Sequence, residues 1–114
     1  MQSVTAVRAM AALAQEHRLA VFRLLVQAGP QGMAAGALAD ALGLPASSLS
    51  FHLAQLANAA LVAQRRQSRS IIYTADFAAM NALLAYLTEN CCGGAGCPAE
   101  PHCLPLTTAE RNAA

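Results

Sequence analysis

Four cysteines crowd one end of this 114-residue chain: Cys91, Cys92, Cys97 and Cys103. Thiolates that gather without carboxylates select soft, thiophilic centres. The adjacent pair Cys91-Cys92 is poorly placed to close a disulfide on itself, because the linking ring is strained. It can still aim two sulfurs at one centre where a helix frays. Gly93, Gly94 and Gly96 let the chain fold back to bring in Cys97, with Cys103 as a substitute third ligand. Zinc is a rival occupant. Four thiolates, or three with the His102 imidazole, would complete a tetrahedron, although a Cys-Cys pair is unusual in structural zinc sites. A thiol redox switch is a third possibility. A disulfide framework staples distant parts of a chain, whereas these cysteines can staple only the tail to itself. A reducing cytoplasm is therefore the expected compartment.

These thiols must be positioned by what precedes them. Ser3 to Gln15 is apolar at helical spacing through Val4, Val7, Met10 or Ala11, and Ala14. A second helix is predicted from His17 to Ala28, with Leu19, Phe22, Leu25 and Val26 as its stripe and Gly29-Pro30 as its stop. Gln31-Gly32 reads as a loop. Ala34 to Leu42 is a short helix ended by Gly43. After Leu44-Pro45-Ala46 a further helix runs from Ser47 to Ala59, with Leu49, Leu53 and Leu56 inward. Helix, short glycine-containing turn, helix is the helix-turn-helix pattern. The period then changes. Val62–Arg66 and Ser70–Thr74 read as strands joined by Gln67-Ser68-Arg69, a two-stranded hairpin. Asp76 caps a last helix reaching about Asn90, whose stripe is Phe77, Met80, Leu84, Leu87 and Cys91. The fold class is mainly α, a winged helix-turn-helix of about five helices. Residues 1–92 are expected to form one domain, and 93–114, which contains Pro98, Pro101 and Pro105, a loosely ordered tail.

The second helix of such a motif lies in the major groove, and a following hairpin reaches backbone or minor groove. Here the polar face of that helix is read as Ser47, Ser48, Ser50, His52 and Gln55. Hydroxyls and amides suit phosphates and base edges, and Gln55 can make a two-point contact to adenine. The hairpin supplies Arg65, Arg66 and Arg69. His17, His102, Met80 and Tyr86 read as surface, tail or packing residues.

Charge distribution agrees with this reading better than the net charge of +1. In Met1–Ala75 six arginines face Glu16 and Asp40, a balance of +4. Beyond it Arg111 faces Asp76, Glu89, Glu100 and Glu110, a balance of −3. No acid stands between Asp40 and Asp76, the span holding the proposed reading elements. With 56% hydrophobic and 11% charged residues the chain is not disordered. The uncharged stretch from Ala41 to Gln64 is broken by Pro45 and several polar residues, so no membrane span is expected. The apolar run after Arg8 is cut short by Gln15-Glu16-His17-Arg18, so no secretory leader is expected. The few, scattered carboxylates accompany no nucleophile, so catalysis is not expected.

Ser47-Ser48-Leu49-Ser50-Phe51-His52-Leu53-Ala54-Gln55-Leu56, then Ala60-Leu61-Val62 and Arg65-Arg66, resembles the recognition helix and wing of ArsR-type winged-helix repressors. Ala14 to Leu25 resembles the second-helix signature of the same family. The resemblance covers about Val4 to Asn90. It implies a homodimer held by the first and last helices, which binds a palindromic operator and is released by an effector. The family usually has glycine where Ala60 and Ser68 stand, so a less tight wing turn is expected. Many arsenic-responsive members carry Cys-x-Cys in the helix-turn-helix, yet no cysteine precedes Cys91 here. Instead Thr88-Glu89-Asn90-Cys91-Cys92 followed by Cys97 is similar to a subgroup of arsenite-responsive repressors. There an adjacent pair and one later cysteine bind trivalent arsenic just beyond the last helix. Arsenite or antimonite, which takes three thiolates in a pyramid, is the effector this resemblance implies. The competing readings are a redox-switched or zinc- or cadmium-responsive repressor, and a metal-sequestering or protein-interaction module.

Overall fold

Alanines make the inward face of the first helix. In the computed structural model, which describes residues 1–94, α1 (Ser3–Leu13) buries Ala6, Ala9 and Ala12. The anticipated stripe faces the other way: Val4 is 65% and Val7 60% exposed. Methyl-sized groups at spacings of three let α1 lie close to its neighbours, and the bulkier valines stay outside. The helix stops at Leu13, short of Gln15. Gln15 turns extended, and its side chain accepts the Arg18 N–H at 2.9 Å, capping α2 (Glu16–Ala28). Arg18 Nε in turn donates to the Ala12 carbonyl at 2.7 Å, satisfying one orphan acceptor at the end of α1.

A single 3₁₀ turn, Gly29–Gln31, follows α2 and leads into a two-residue strand, β1 (Met33–Ala34). Gly32 between them has φ +68°, and a Cβ there would collide with the Tyr73 carbonyl and the methyls of Ile72 and Thr74. Only glycine lets these two stretches of chain approach so closely. α3 (Ala35–Leu42) ends at Gly43 in the left-handed region, with the Leu44 N–H closing on the Ala39 carbonyl. α4 (Ala46–Asn58) starts behind Pro45 and buries Leu49, Leu53 and Leu56.

β2 (Val62–Gln67) and β3 (Ser70–Ala75) pair antiparallel from Val62↔Ala75 to Gln67↔Ser70 around a two-residue turn. The turn is as tight as a hairpin allows, contrary to the expectation drawn from its missing glycine. Ser68 adopts φ +57° and Ala60 φ +60°, so both accept the left-handed backbone that glycine would take without strain. The sheet has three strands rather than two. β1 pairs with the other edge of β3, Met33↔Tyr73 and Ala34↔Ile72, giving the order β1-β3-β2. Two residues are too few for an alternating pattern to show in sequence.

α5 (Phe77–Leu87) is capped by Asp76, whose carboxylate accepts the Ala79 N–H at 2.9 Å. It ends three residues sooner than its sequence suggests. The Thr88 hydroxyl donates to the Leu84 carbonyl at 2.9 Å, and Asn90 turns to φ +55°. Cys91 therefore does not continue the α5 stripe but opens a separate 3₁₀ turn, Cys91–Gly94. One core unites these elements, with Val21, Leu25, Leu38, Leu49, Leu56 and Leu61 fully enclosed. Among the described residues there are five α-helices and a three-stranded sheet, the architecture of a winged helix-turn-helix. Among the described residues no helix is long and apolar enough to cross a membrane. Cys97, His102, Cys103 and the tail from Ala95 lie outside the described residues.

Candidate nucleic-acid interface

The leucines of α4 fix what its outer side can offer. With Leu49, Leu53 and Leu56 inward, the opposite side carries Ser47, Ser50, Phe51, Ala54 and Asn58, all exposed. Ser48 and Gln55 lie half-buried on its flank. Ser47, Ser48, Ser50 and Gln55 thus border one accessible helix face.

His52 does not join them. Its ring is 8% exposed, and Nδ1 has no hydrogen-bond partner among the described residues. Position 52 follows Leu49 by three and precedes Leu56 by four, so it belongs to the inward side. Burial, and then the charges of Arg18 and His17, hold its pKa below the usual histidine value. Its assignment as a DNA contact is corrected: it packs behind the helix, its ring centroid 5.7 Å from that of His17.

Phe51 is the residue that sequence reasoning passed over. It is 57% exposed and follows Ser47 by four residues. Its spacing of four from Ser47 places it on the same helix face. A phenyl ring on a groove-facing helix suits the methyl group of thymine.

The three hairpin arginines are all exposed but differ in role. Arg69 occupies the turn itself, and Arg66 sits opposite Ile71 on β2. Arg65 reaches back across the sheet instead. Its Nη2 donates to the Gln31 carbonyl at 2.9 Å and its Nη1 to the Pro30 carbonyl at 3.3 Å. Its guanidinium ties the middle of β2 to the turn after α2. Arg66 and Arg69 are left as the cations best placed to meet phosphate.

Beyond α5 the Cys91 and Cys92 sulfurs lie 3.7 Å apart. Cys92 and Gly93 adopt φ of +58° and +68°, a kink that turns both thiols to the same region. Among the described residues no third His, Cys, Asp or Glu joins them to make a metal-binding group.

Comparison with known proteins agrees with this architecture. Residues 13–65 match the family described as a helix-turn-helix domain. The chain is 33% identical over 79 residues to the HTH-type transcriptional regulator YgaV of Escherichia coli K12, covering 69% of this chain and 80% of that protein. Its structure resembles that of an ArsR-like transcriptional regulator from Rhodococcus sp. RHA1, with a TM-score of 0.67 and 27% identity, over 75% of this chain and 77% of the other. It also resembles the homodimeric winged helix-turn-helix DNA-binding domain of a possible ArsR-family regulator from Mycobacterium bovis. There the TM-score is 0.60 at 27% identity, over 82% of this chain and 87% of the other.

Proposed function

Because this chain belongs to the ArsR family of winged-helix transcriptional regulators, we propose that it is a DNA-binding repressor. It works as a homodimer on a palindromic operator in the cytoplasm and is released by arsenite or antimonite. The DNA reading rests on one observation above all. The side of α4 that its leucines leave outward presents hydroxyls, an amide and an exposed aromatic beside a hairpin tipped by Arg66 and Arg69. Dimerisation is supported by apolar surface that the protomer leaves uncovered. Val4 and Val7 on α1 and Leu87 on α5 point outward. An open apolar cleft of ≈ 350 Å³ lies between α2 and α5, lined by Leu19, Phe22, Met80 and Leu84 among others.

The effector reading is supported by the two thiols held side by side in a kinked turn directly after α5. Cys97, or else Cys103, would supply the third thiolate. Drawing three thiolates onto one ion reorganises the end of α5, and that shift reaches the dimer contact the helix helps to form. Ligand and DNA then disfavour each other by about 1–3 kcal/mol, roughly 5–150-fold in affinity. A second reading has one observation in its favour. Two thiolates bound tetrahedrally to one zinc at about 2.3 Å stand roughly 3.8 Å apart, close to the 3.7 Å seen here.

The test is fluorescence anisotropy with an operator selected from random-sequence duplexes. Arsenite is expected to weaken binding, and Cys91→Ser to abolish that response while keeping DNA affinity. Unchanged affinity with arsenite rejects the arsenic reading. Release by zinc or cadmium alone supports the divalent reading, and release by peroxide alone a redox switch. Failure to retain any duplex at low salt rejects DNA binding and leaves a protein-interaction module.

A further inference from the structure

A second cavity opens where α1, α2 and α4 meet. It has a volume of ≈ 290 Å³ and is lined by Arg8 from α1, Arg18 from α2, and Gln55 and Asn58 from α4, over a floor of Ala11, Ala12 and Ala59. Three helices thus converge two guanidiniums and two amides on one space, and no acidic side chain lines it. Both cations are candidates for structural duty, and the hydrogen bonds limit how much. Arg18 is anchored through Nε to the Ala12 carbonyl at 2.7 Å, which fixes the plane of its guanidinium. Among the described residues neither arginine donates to a carbonyl of α4, so their charge is not consumed in capping that helix. An acid-free space with two fork-shaped cations and amide donors matches an oxyanion, above all phosphate, which arginine binds through paired N–H groups.

We infer that Arg8, Arg18, Gln55 and Asn58 form a phosphate-binding site and that the phosphate it takes belongs to the backbone of bound DNA. This source rests on the repressor reading above. It is favoured over a free anion by continuity along α4. Asn58 lies seven residues after Phe51 and four after Ala54, on the same exposed side of the helix. The cavity therefore extends the groove-facing surface at its C-terminal end, and it brings α1 into the nucleic-acid interface. No motif on α4 or in the hairpin identifies Arg8 as part of that interface. The inference assigns this role to an arginine five residues from the start of α1.

The experiment uses the full chain and the variant Arg8→Gln. Arg8 is exposed and its side chain makes no hydrogen bond among the described residues, unlike that of Arg18, so the variant keeps the helix; an unchanged thermal midpoint verifies it. Two readouts are taken. In the first, affinity for a short mixed-sequence duplex is measured by anisotropy between about 50 and 200 mM salt. Loss of one phosphate contact per protomer, two per dimer, is expected to flatten the slope of log affinity against log salt by about 1.8. In the second, inorganic phosphate is titrated against labelled protein by NMR, with chloride at equal ionic strength as the control. Shifts at Ala11, Ala12 and Asn58 are expected in the wild type and lost in Arg8→Gln. A flattened slope with phosphate-specific shifts supports the inference. Shifts with an unchanged slope overturn the DNA source and assign the cavity to a free phosphate-bearing ligand. No shift and no change of slope overturn the site. If the wild type retains no duplex at all, the repressor reading fails with the DNA source, and the phosphate titration alone decides whether the cavity binds an anion.

Discussion

The rings of His17 and His52 lie 5.7 Å apart at 39°, one exposed at the start of α2 and the other buried under α4. The pair joins the recognition helix to the segment that follows α1. Burial opposes charging His52, and the positive charge of Arg18, just beside His17, opposes it further.

His52 therefore makes stability depend on pH. Its folded pKa is depressed below the 6.5 of an unperturbed histidine, so the unfolded chain binds more protons as pH falls. Stability is full above about pH 6.5 and declines as pH drops through the gap toward the folded value. The expected outcome is a lower urea midpoint at acid pH for the wild type and a flatter profile for His52→Leu. An equal loss in both proteins would show that His52 is not the responsible group.

Ala60 and Ser68 hold left-handed backbone that costs a side-chain-bearing residue about 1–2 kcal/mol. Ala60→Gly and Ser68→Gly are each expected to raise stability by about 1 kcal/mol or somewhat less, since glycine also gains freedom in the unfolded chain. Denaturant unfolding of the single and double variants measures this, and the effects should add because the sites share no described bond.

Two glycines separate backbone need from helix preference. Gly36 lies within α3 with open space around its Cβ position, so Gly36→Ala should stabilise by roughly 0.5–1 kcal/mol. Gly32 has φ +68° and meets the Tyr73 carbonyl, so Gly32→Ala should destabilise strongly, by about 3 kcal/mol or more. Thermal or urea unfolding of the two variants should move in opposite directions.

The hairpin arginines should divide by function. Arg69→Ala is expected to weaken duplex binding and reduce the salt slope by about 1.8, one contact from each protomer of the dimer, with little effect on the melting temperature. Arg65→Ala should lower stability, because the Pro30 and Gln31 carbonyls lose their donor. Equal behaviour of the two variants in both assays would contradict the division.

Phe51→Ala should leave folding intact, since the ring is 57% exposed. Its loss should appear in base preference. Competition among duplexes that exchange thymine for uracil, which lacks the methyl group, should distinguish wild type from variant by about 0.8 kcal/mol per contacted base, the worth of one buried methyl group. No difference would remove Phe51 from base reading.

The five helices were legible because leucines at spacings of three and four leave little choice of face, as in α4. The first helix shows where this rule misleads. There the valines outrank the alanines in hydrophobicity, but close packing takes the smaller side chains inward. His52 was misplaced for a related reason: its polarity was weighed above its position between Leu49 and Leu56. The strand Met33–Ala34 left no trace, since its partner lies some forty residues away in sequence and only Gly32 hints at the close approach. Of the thiol site, the adjacency of Cys91 and Cys92 was evident, whereas the break between Leu87 and Cys91 depended on how Thr88 and Asn90 end the helix.

The Arg65 bonds and the β1 pairing have a consequence for how recognition and regulation can diverge. Together they tie the hairpin to the entrance of the helix-turn-helix. On the proposed regulation, a signal arriving through α5 would turn this unit as a whole rather than bend it. Under that proposal, operator preference and inducer choice would be separable properties of the chain, one set by α4 and the hairpin and the other by the end of α5.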